Sequence, residues 1–244
     1  MPPLLLALVG LAACATGLLG LRRVGPGYRI ARTLVAAPQV AIGDLPAAIE
    51  HGEPYVRVRG RITSDEEFPD ENERPLVYRR RRLELALDPA GRSWTTLEDE
   101  VHAVPFGIEH AGAYVAVQAA DLDDGLVVIV RESLGTAAEA PERVPLGTPP
   151  ETPLRHRVHQ VSAVEHAHVA GRPTIAPDGS TTLGAGSGRP LILTTLEIPE
   201  AMRLLAAGHR RLVRVATAGL GAGIVVTVVG LVIGLLSALR LDVF

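Results

Sequence analysis

Two long uncharged runs, one at each end of the chain, constrain the fold of this sequence more than any other feature. The first run covers residues 4–21 and the second covers residues 215–239. At about 1.5 Å of rise per residue, the shorter run forms roughly 27 Å of helix, close to the thickness of a membrane's hydrocarbon core. A soluble core helix as long as the second run would show a polar face, and this run has none. Both runs are therefore predicted to be transmembrane helices.

The first run has two competing interpretations, and both are targeting signals. A cleaved signal peptide would begin with a basic segment, but only Met1, Pro2 and Pro3 precede the run. The segment Leu11-Ala12-Ala13-Cys14 resembles a lipobox, yet the residues after Cys14 stay apolar up to residue 21, whereas a mature lipoprotein usually turns polar there. A membrane span that contains Cys14 as a small, soft residue is the preferred interpretation.

Arginine residues beside the two runs predict the orientation of the chain. They are Arg22 and Arg23 after the first run, Arg210, Arg211 and Arg214 before the second, and Arg240 beyond it. Positive residues near the ends of a span favour the cytoplasmic side. We therefore expect an integral membrane protein with two spans, a cytoplasmic central domain and both termini outside.

Small residues recur every three or four positions along both runs. The positions expected to pack helix against helix are Gly10, Ala13, Gly17, Gly20, Gly219, Gly223, Gly230 and Gly234. Small residues on one face let helix backbones approach closely in lipid. The rows predict that the two spans pack as an antiparallel pair, and homo-oligomerisation through the glycine-rich spans is the alternative.

The predicted domain boundaries follow from these spans. Residues 1–23 form the first span and its basic flank, and residues 24–209 form a β-rich cytoplasmic domain. Residues 210–240 form the second flank and span, and residues 241–244 form a short tail. Within the domain, residues 136–153 are rich in Pro, Glu, Thr and Ala, which is typical of a loop or linker.

Composition excludes several classes of protein. The apolar fraction of 47% is too high for a disordered chain, and the single cysteine excludes a disulfide scaffold. All 24 basic residues are arginines, and 27 acidic residues outnumber them, so no net positive field is present to bind nucleic acid.

Short alternating segments separated by turn signals predict the fold of the central domain. A short helix is expected over residues 45–51, and residues 55–62 alternate between apolar residues and arginine, as a half-buried strand does. Further strands are expected over residues 76–87, 95–104, 158–170, 174–176 and 191–195, with a hairpin of residues 113–118 and 126–131 and a helix opening at Pro199. The fold class is membrane α + β: two transmembrane helices flanking a small, mostly antiparallel β-barrel or sandwich with short helices.

Three groups of residues are candidates for chemistry. His156, His159, His166 and His168 could supply metal ligands, although no third spaced ligand completes a familiar set, and a solvated strand face is the preferred interpretation. The segment Gly184–Gly188 lacks the Lys-Ser/Thr of a phosphate loop and is expected to be a hairpin loop. The run Arg79–Arg82 is expected to pair with the acidic loop of residues 65–73, with contact to anionic lipid or an acidic partner as the alternative. No catalytic constellation is found.

Several short segments occur in an order that resembles a known family. They are Glu53–Ile62, Pro75–Arg79, Val104–Ile108, Tyr114–Val117, Val164–Gly171 and Leu191–Thr195. With a span on each side, this order resembles the GIDE-type (BAM) domain family, best known from membrane-anchored mitochondrial and plastid RING ubiquitin ligases. The resemblance implies a membrane-anchored β domain that binds partners or substrates.

The matching positions are expected to be structural: Pro54, Tyr55, Gly60, Pro75, Pro105, Phe106 and Gly171. The family's ligases carry a RING after the second span, and a RING needs about eight Cys or His zinc ligands. Because Cys14 is the only cysteine, E3 ubiquitin transferase activity and a bound cofactor are not expected.

The predicted function is a membrane-anchored partner-binding or scaffold module without catalysis of its own. Its expected partners are membrane lipid and proteins that the sequence does not identify. Two alternatives stay open: a component of a ubiquitin-like conjugation pathway that acts with a separate catalytic protein, and a metal-dependent enzyme that uses the histidine cluster. In a conjugation pathway the substrates would be other proteins, because this chain has no lysine.

Overall fold

The computed structural model describes residues 3–88, 90–207 and 210–241. Over these residues the chain forms four α-helices and twelve β-strands. In chain order they are α1 (Pro3–Ala36), α2 (Leu45–Glu50), β1 (Val56–Thr63), β2 (Phe68–Pro69), β3 (Pro75–Ala86), β4 (Trp94–Ala103), β5 (Phe106–His110), β6 (Ala113–Val117), β7 (Leu126–Val127), β8 (Arg131–Thr136), β9 (Pro153–Ser162), β10 (His166–Ile175), β11 (Thr181–Gly184), β12 (Ile192–Thr194), α3 (Ile198–Ala207) and α4 (Arg210–Leu241).

The chain divides into two compact units. Residues 33–201 form the β unit, and the chain on either side of it, residues 1–32 and 202–244, forms the helical unit. The β unit holds all the strands named above.

Five strands of the β unit close into a barrel. β1 pairs with β5, β5 with β6, β6 with β11, β11 with β10, and β10 returns to β1. These pairs are antiparallel except β6 with β11, which is parallel. This is the strand order of the OB-fold, a five-stranded Greek-key barrel. β12 extends the sheet beside β10, and β7 pairs with β12.

Alternating residues of the barrel strands fill its core. On β1, Val56, Val58 and Ile62 are fully buried, whereas Arg59 and Arg61 are exposed, as the sequence pattern predicts. Gly60 lies where β1 meets β5: a Cβ there would collide with the backbone carbonyl oxygen of Glu109. Glycine is therefore required at this position by the close approach of two strands.

The remaining long strands form a second antiparallel sheet in the order β4-β3-β9-β8, and the short β2 pairs with the start of β3. β3 and β9 belong to both hydrophobic cores of the unit. Near one end Val77, Tyr78 and Val161 join the barrel core, and at the other end Leu83 and Leu85 pack with Leu154 in a smaller cluster. The second sheet is thus anchored on the barrel through its two central strands.

Small residues line the contact between α1 and α4 in the helical unit. A Cβ on Gly10 would collide with Thr227 and would lie 2.8 Å from the carbonyl oxygen of Gly223. A Cβ on Gly17 would lie 3.0 Å from the carbonyl oxygen of Ala216. Gly10 therefore lies next to Gly223 and Thr227 of α4, and Gly17 lies next to Ala216. Because the residue number falls along α4 as it rises along α1, the two helices run antiparallel here.

The other expected packing positions differ in their surroundings. A Cβ on Gly223 would lie 2.8 Å from Sγ of Cys14, whereas nothing lies within 4 Å of one built on Gly219. Ala13 is partly buried and Gly230 is buried. Gly20 and Gly234 lie outside the residues whose surroundings the structure describes.

Among the described residues, one helical segment is long and apolar enough to cross a membrane, Val215–Ile233. A shorter apolar helical segment covers Leu8–Leu19.

The predicted hairpin of residues 113–118 and 126–131 is wrong. β6 pairs with β5 and β11, and β7 pairs with β12. The connection does not fold back tightly because Leu122 is buried and its carbonyl oxygen accepts a hydrogen bond from the Tyr78 hydroxyl at 3.1 Å. Leu122 thus holds the connection against the core, while its neighbours Asp121 and Asp123 are partly or fully exposed.

The predicted strand over residues 158–170 is two strands, β9 and β10, which are separated by a turn at residues 163–165. The break is hidden in the sequence because Ala163 in the turn is itself buried, so the apolar pattern continues through it. Residues 136–153 form a loop with two short 3-10 turns, in agreement with the sequence pattern.

Candidate functional site

Four side chains on one side of the second sheet form the candidate site, which we call the arginine face: Arg80, Arg82, Arg157 and His159. The strand register creates it, since Arg80 lies opposite His159 and Arg82 lies opposite Arg157 across the β3–β9 pair. Successive residues of a strand point to opposite sides of the sheet, so Arg79 and Arg81 face the other way. The arginine run is therefore divided into two pairs with different surroundings.

Asp99 of β4 holds the two β3 arginines of this face. Arg80 donates to both Asp99 carboxylate oxygens, from Nε to Oδ1 at 2.7 Å and from Nη2 to Oδ2 at 2.6 Å, and Nε of Arg82 donates to Oδ2 at 3.1 Å. Arg80 also donates through Nη1 to Oδ1 of Asp123 at 2.8 Å. The Arg80 hydrogen bonds hold the pKa of the Asp99 carboxyl below its usual range.

The sequence predicts that the arginine run pairs with the acidic loop of residues 65–73. In the structure, Arg80 and Arg82 pair with other acids. The contact of the run with that region is made by Arg79, whose guanidinium lies 5.3 Å from the ring centroid of Phe68. β4 supplies the acid instead, because Asp99 lies directly opposite Arg82 in the β3–β4 register. Cross-strand pairing thus decides the partner, and nearness in sequence does not.

A cavity of about 130 Å³ opens on the arginine face. It is lined by Arg80, Arg82, Asp123, Asp124, Leu126, Arg157 and His159. Two buried atoms of this lining, Nε of Arg157 and Nδ1 of His159, have no hydrogen-bond partner. A buried polar group left unpaired costs about 1–3 kcal/mol, so this arrangement favours a bound polar ligand.

The electrostatics of the cavity are visible in His159. Burial, followed by the charges of Arg157, Arg82 and Arg80, lowers the pKa of His159 to about 4. Its imidazole is therefore neutral at pH 7. A neutral imidazole offers one donor nitrogen and one acceptor nitrogen, so His159 keeps hydrogen-bonding capacity without adding charge.

The four histidines of the sequence cluster do not converge. His156 and His159 are three apart on β9 and therefore face opposite sides of the second sheet, whereas His166 and His168 lie on β10 of the barrel. His166 is exposed and His168 is buried. Among the described residues, no group of three His, Cys, Asp or Glu side chains is placed to hold a metal ion.

His168 has a polar environment of its own. Its Nε2 lies 3.7 Å from a carboxylate oxygen of Glu197, and Arg59 pairs with the same carboxylate at 2.6 Å. Burial and the nearby Arg59 charge lower the pKa of His168. These residues connect β1 and β10 to the segment that leads into α3.

The expected structural positions lie at strand junctions of the β unit. Tyr55 is buried, and its hydroxyl oxygen lies 2.7 Å from the carbonyl oxygen of Pro190 and 2.9 Å from that of Ala170, which share its one O–H donor. Phe106 is buried in the barrel core. A Cβ on Gly171 would lie 2.8 Å from Cδ1 of Leu191.

The three prolines of this set lie at or beside strand starts and have more open surroundings. Pro75 begins β3, and its carbonyl oxygen accepts a hydrogen bond from the Ser162 hydroxyl at 2.9 Å. Pro105 directly precedes β5, and its carbonyl oxygen accepts one from the Ser64 hydroxyl at 2.5 Å. Pro54 is exposed just before β1.

The glycine-rich segment after β11 is closed by the protein itself. Oδ2 of Asp121 accepts a hydrogen bond from the backbone N–H of Ala185 at 2.7 Å, and Gly186 and Arg189 bridge a tight turn. The segment is thus a closed turn, as a loop is expected to be. It is not a hairpin loop, because β11 and β12 on either side of it pair with opposite edges of β10 and not with each other.

Two further openings in the β unit had no sequence signal. One of about 330 Å³ lies beside Asp70, Arg131 and Glu165, and a carboxylate oxygen of Asp70 there is buried 3.8 Å from Arg131. The other, of about 690 Å³, is mainly apolar and lies between the end of β3 and residues 148–153. Asp99, Asp123 and Arg157 of the candidate site were also missed, because only the strand register brings them to the arginine run.

Comparison of the chain with protein-family models, with curated proteins and with solved structures finds no match. The resemblance to GIDE-type domains therefore stays a prediction.

Proposed function

We propose that this protein is a membrane-anchored module that presents a ligand- or partner-binding β-barrel domain at the membrane surface and has no catalysis of its own. The arginine face is the surface that supports binding best. It combines guanidinium groups, a small cavity and unpaired donors, but it lacks a nucleophile with an adjacent base.

One observation carries the membrane anchor. The apolar side chains of the segment Val215–Ile233 are left uncovered by the rest of the chain: Val225 and Leu231 are 61% and 60% exposed. A continuous apolar helix surface of this length is unfavourable in water and is matched by a bilayer.

We extend this proposal to a second span in α1. Leu8 and Leu11 of that helix are exposed, while Gly10 and Gly17 contact α4. A helix pair with small residues inside and large apolar residues outside is the arrangement that lipid favours. The arginines that flank both spans on the side of the β unit support a cytoplasmic location for residues 24–209.

Two measurements on the full chain test the anchor and its orientation. The chain should stay with the membrane fraction after alkaline carbonate extraction, because it is integral. In right-side-out vesicles the β unit should resist added protease and should be digested once the vesicles are opened by detergent. Release by carbonate would remove the anchor, and digestion in sealed vesicles would place the β unit outside.

A further inference from the structure

We propose that the cavity of the arginine face is a binding site for a tetrahedral oxyanion of the phosphate type, held by Arg82, Arg157 and His159. Every lining residue belongs to the β unit. The proposal therefore does not depend on the number of membrane spans or on their orientation.

The size of the cavity limits the ligand. Its volume of about 130 Å³ corresponds to roughly four water molecules at about 30 Å³ each. A single phosphate group fits this space, and a larger molecule can place only one such group inside it. Leu126 adds an apolar wall, and Asp123 and Asp124 complete the lining.

The hydrogen-bond donors of the cavity are unevenly used. Arg80 is fully engaged, since its Nε, Nη1 and Nη2 donate to Asp99 and Asp123. Arg157 is not: its buried Nε has no partner, and the carboxylate oxygen of Glu132 that lies nearby is 3.7 Å away. Nδ1 of His159 is buried and unpaired beside it.

An unpaired guanidinium N–H and an unpaired imidazole nitrogen suit a ligand with oxygens pointing in several directions. A phosphate group supplies three or four such oxygens, and the guanidinium group binds phosphate and carboxylate oxygens strongly because both partners are charged. Asp99 of β4 pairs with both Arg80 and Arg82, so their guanidinium groups are already oriented before a ligand enters.

The lining carries charges of both signs: the guanidinium groups of Arg80, Arg82 and Arg157 and the carboxylates of Asp123 and Asp124. Arg80 pairs with Asp99 and Asp123, which leaves Arg82 and Arg157 as the guanidinium groups available to an anion.

Isothermal titration of the full chain in a phosphate-free maltoside detergent tests the site. The titrant is inorganic phosphate, with chloride used to match the ionic strength. We expect saturable binding that Arg157→Gln weakens about tenfold or more, since the loss of a charged hydrogen bond has that size. His159→Gln should also weaken it. The matched control is Arg81→Gln, which removes the same charge from the opposite side of β3 and should change the affinity by less than about twofold.

A second arm distinguishes the two sources of a phosphate group. The chain is placed in nanodiscs of phosphatidylcholine alone or with phosphatidic acid, and the phosphate titration is repeated. If a lipid headgroup occupies the cavity, phosphatidic acid weakens the binding of free phosphate in the unmodified chain but not in the Arg157→Gln variant. If free phosphate is the ligand, both kinds of disc give the same affinity.

If a variant does not fold, thermal unfolding of the unmodified chain still tests the proposal. In the unmodified chain, phosphate should raise the unfolding midpoint along a saturating curve at concentrations below those at which its general stabilising effect on proteins acts. The proposal is overturned if the unmodified chain shows no saturable phosphate binding and no such shift. It is equally overturned if folded Arg157→Gln and Arg81→Gln bind phosphate with the same affinity.

Discussion

At the scale of single residues, His159 shows how a fold sets the chemistry of a side chain. In the unfolded chain its pKa is near the usual 6.5, and in the folded chain burial and three arginines lower it to about 4. The folded state therefore resists protonation of this residue. Histidines that are held neutral in this way make a protein sensitive to acid.

We predict that His159 reduces the stability of the β unit as the pH falls from about 6.5 to 4. In this window the unfolded chain takes up a proton that the folded chain does not, and above it the residue contributes no pH dependence. The full effect is at most about 3 kcal/mol. Urea unfolding followed by the fluorescence of Trp94, the single tryptophan, measures it at several pH values.

In phosphate-free buffer, His159→Gln should flatten this dependence. The control is His110→Gln, which alters an exposed histidine of β5. His156 and His168 also have lowered pKa values, so part of the slope should remain. A slope that is unchanged in His159→Gln would contradict the prediction.

The residues of the candidate site could be predicted from the sequence only in part. The sequence indicates the run Arg79–Arg82 as a candidate, and the alternation of side chains along a strand predicts that its arginines divide between the two faces of the sheet. Its real partners, Asp99 and Asp123, could not be identified, because they come from a neighbouring strand and from the connection between β6 and β7. The nearest acids in sequence were a poor guide to the nearest acids in space.

At the scale of elements, the far end of the second sheet depends on one buried ion pair. Arg155 of β9 donates from Nε to a carboxylate oxygen of Glu84 at 2.7 Å, and Glu84 is 7% exposed. The guanidinium carbon lies 4.2 Å from the ring centroid of Trp94. The pair and the stacking tie β9, β3 and β4 together.

We predict that Arg155→Ala destabilises the β unit by about 3 kcal/mol, because it leaves the buried Glu84 carboxylate without its partner. Amide hydrogen exchange should accelerate first in β4. The control is Arg92→Ala, which removes an 83% exposed arginine 3.7 Å from Asp88 and should cost less than about 0.5 kcal/mol. Equal effects of the two changes would show that the Glu84 pair contributes little.

Elements with a clear two-faced pattern were predictable, and others were not. β1, β3 and β4 fall where alternation places them, within one or two residues. β5 has only Phe106 and Ile108 as an apolar pair, β11 is four residues long, and β8 is exposed and polar, so none of the three has an apolar stripe long enough to reveal it. The barrel itself was foreseen only as one of two β architectures, because its closing pairs join distant segments.

At the scale of the whole molecule, the single native cysteine offers a test of the antiparallel helix pair in a membrane. Cys14 donates through Sγ to the carbonyl oxygen of Leu220 at 3.8 Å. A second cysteine introduced at position 220 should therefore be close enough to be crosslinked by a short thiol-reactive reagent or by oxidation.

We predict that Leu220→Cys gives an efficient internal crosslink to Cys14 in isolated membranes. Cleavage within residues 136–153 should then leave the two fragments joined on a non-reducing gel. The control is Leu231→Cys, about three turns further along α4, which should give separate fragments. Efficient crosslinking of both variants, or of neither, would argue against the pairing.

The circular pairing of the barrel has a consequence for how this protein is made. β1 begins at Val56, and its partner in β10 extends to Gly171. At about 5–20 residues per second, roughly 6–20 seconds pass between the synthesis of β1 and the synthesis of its partner β10. During that interval the first apolar helix has already left the ribosome, while β1 has no partner on one side. Synthesis of the first helix is thus an early event and closure of the barrel a late one, and the interval between them is when the nascent chain is most open to chaperones.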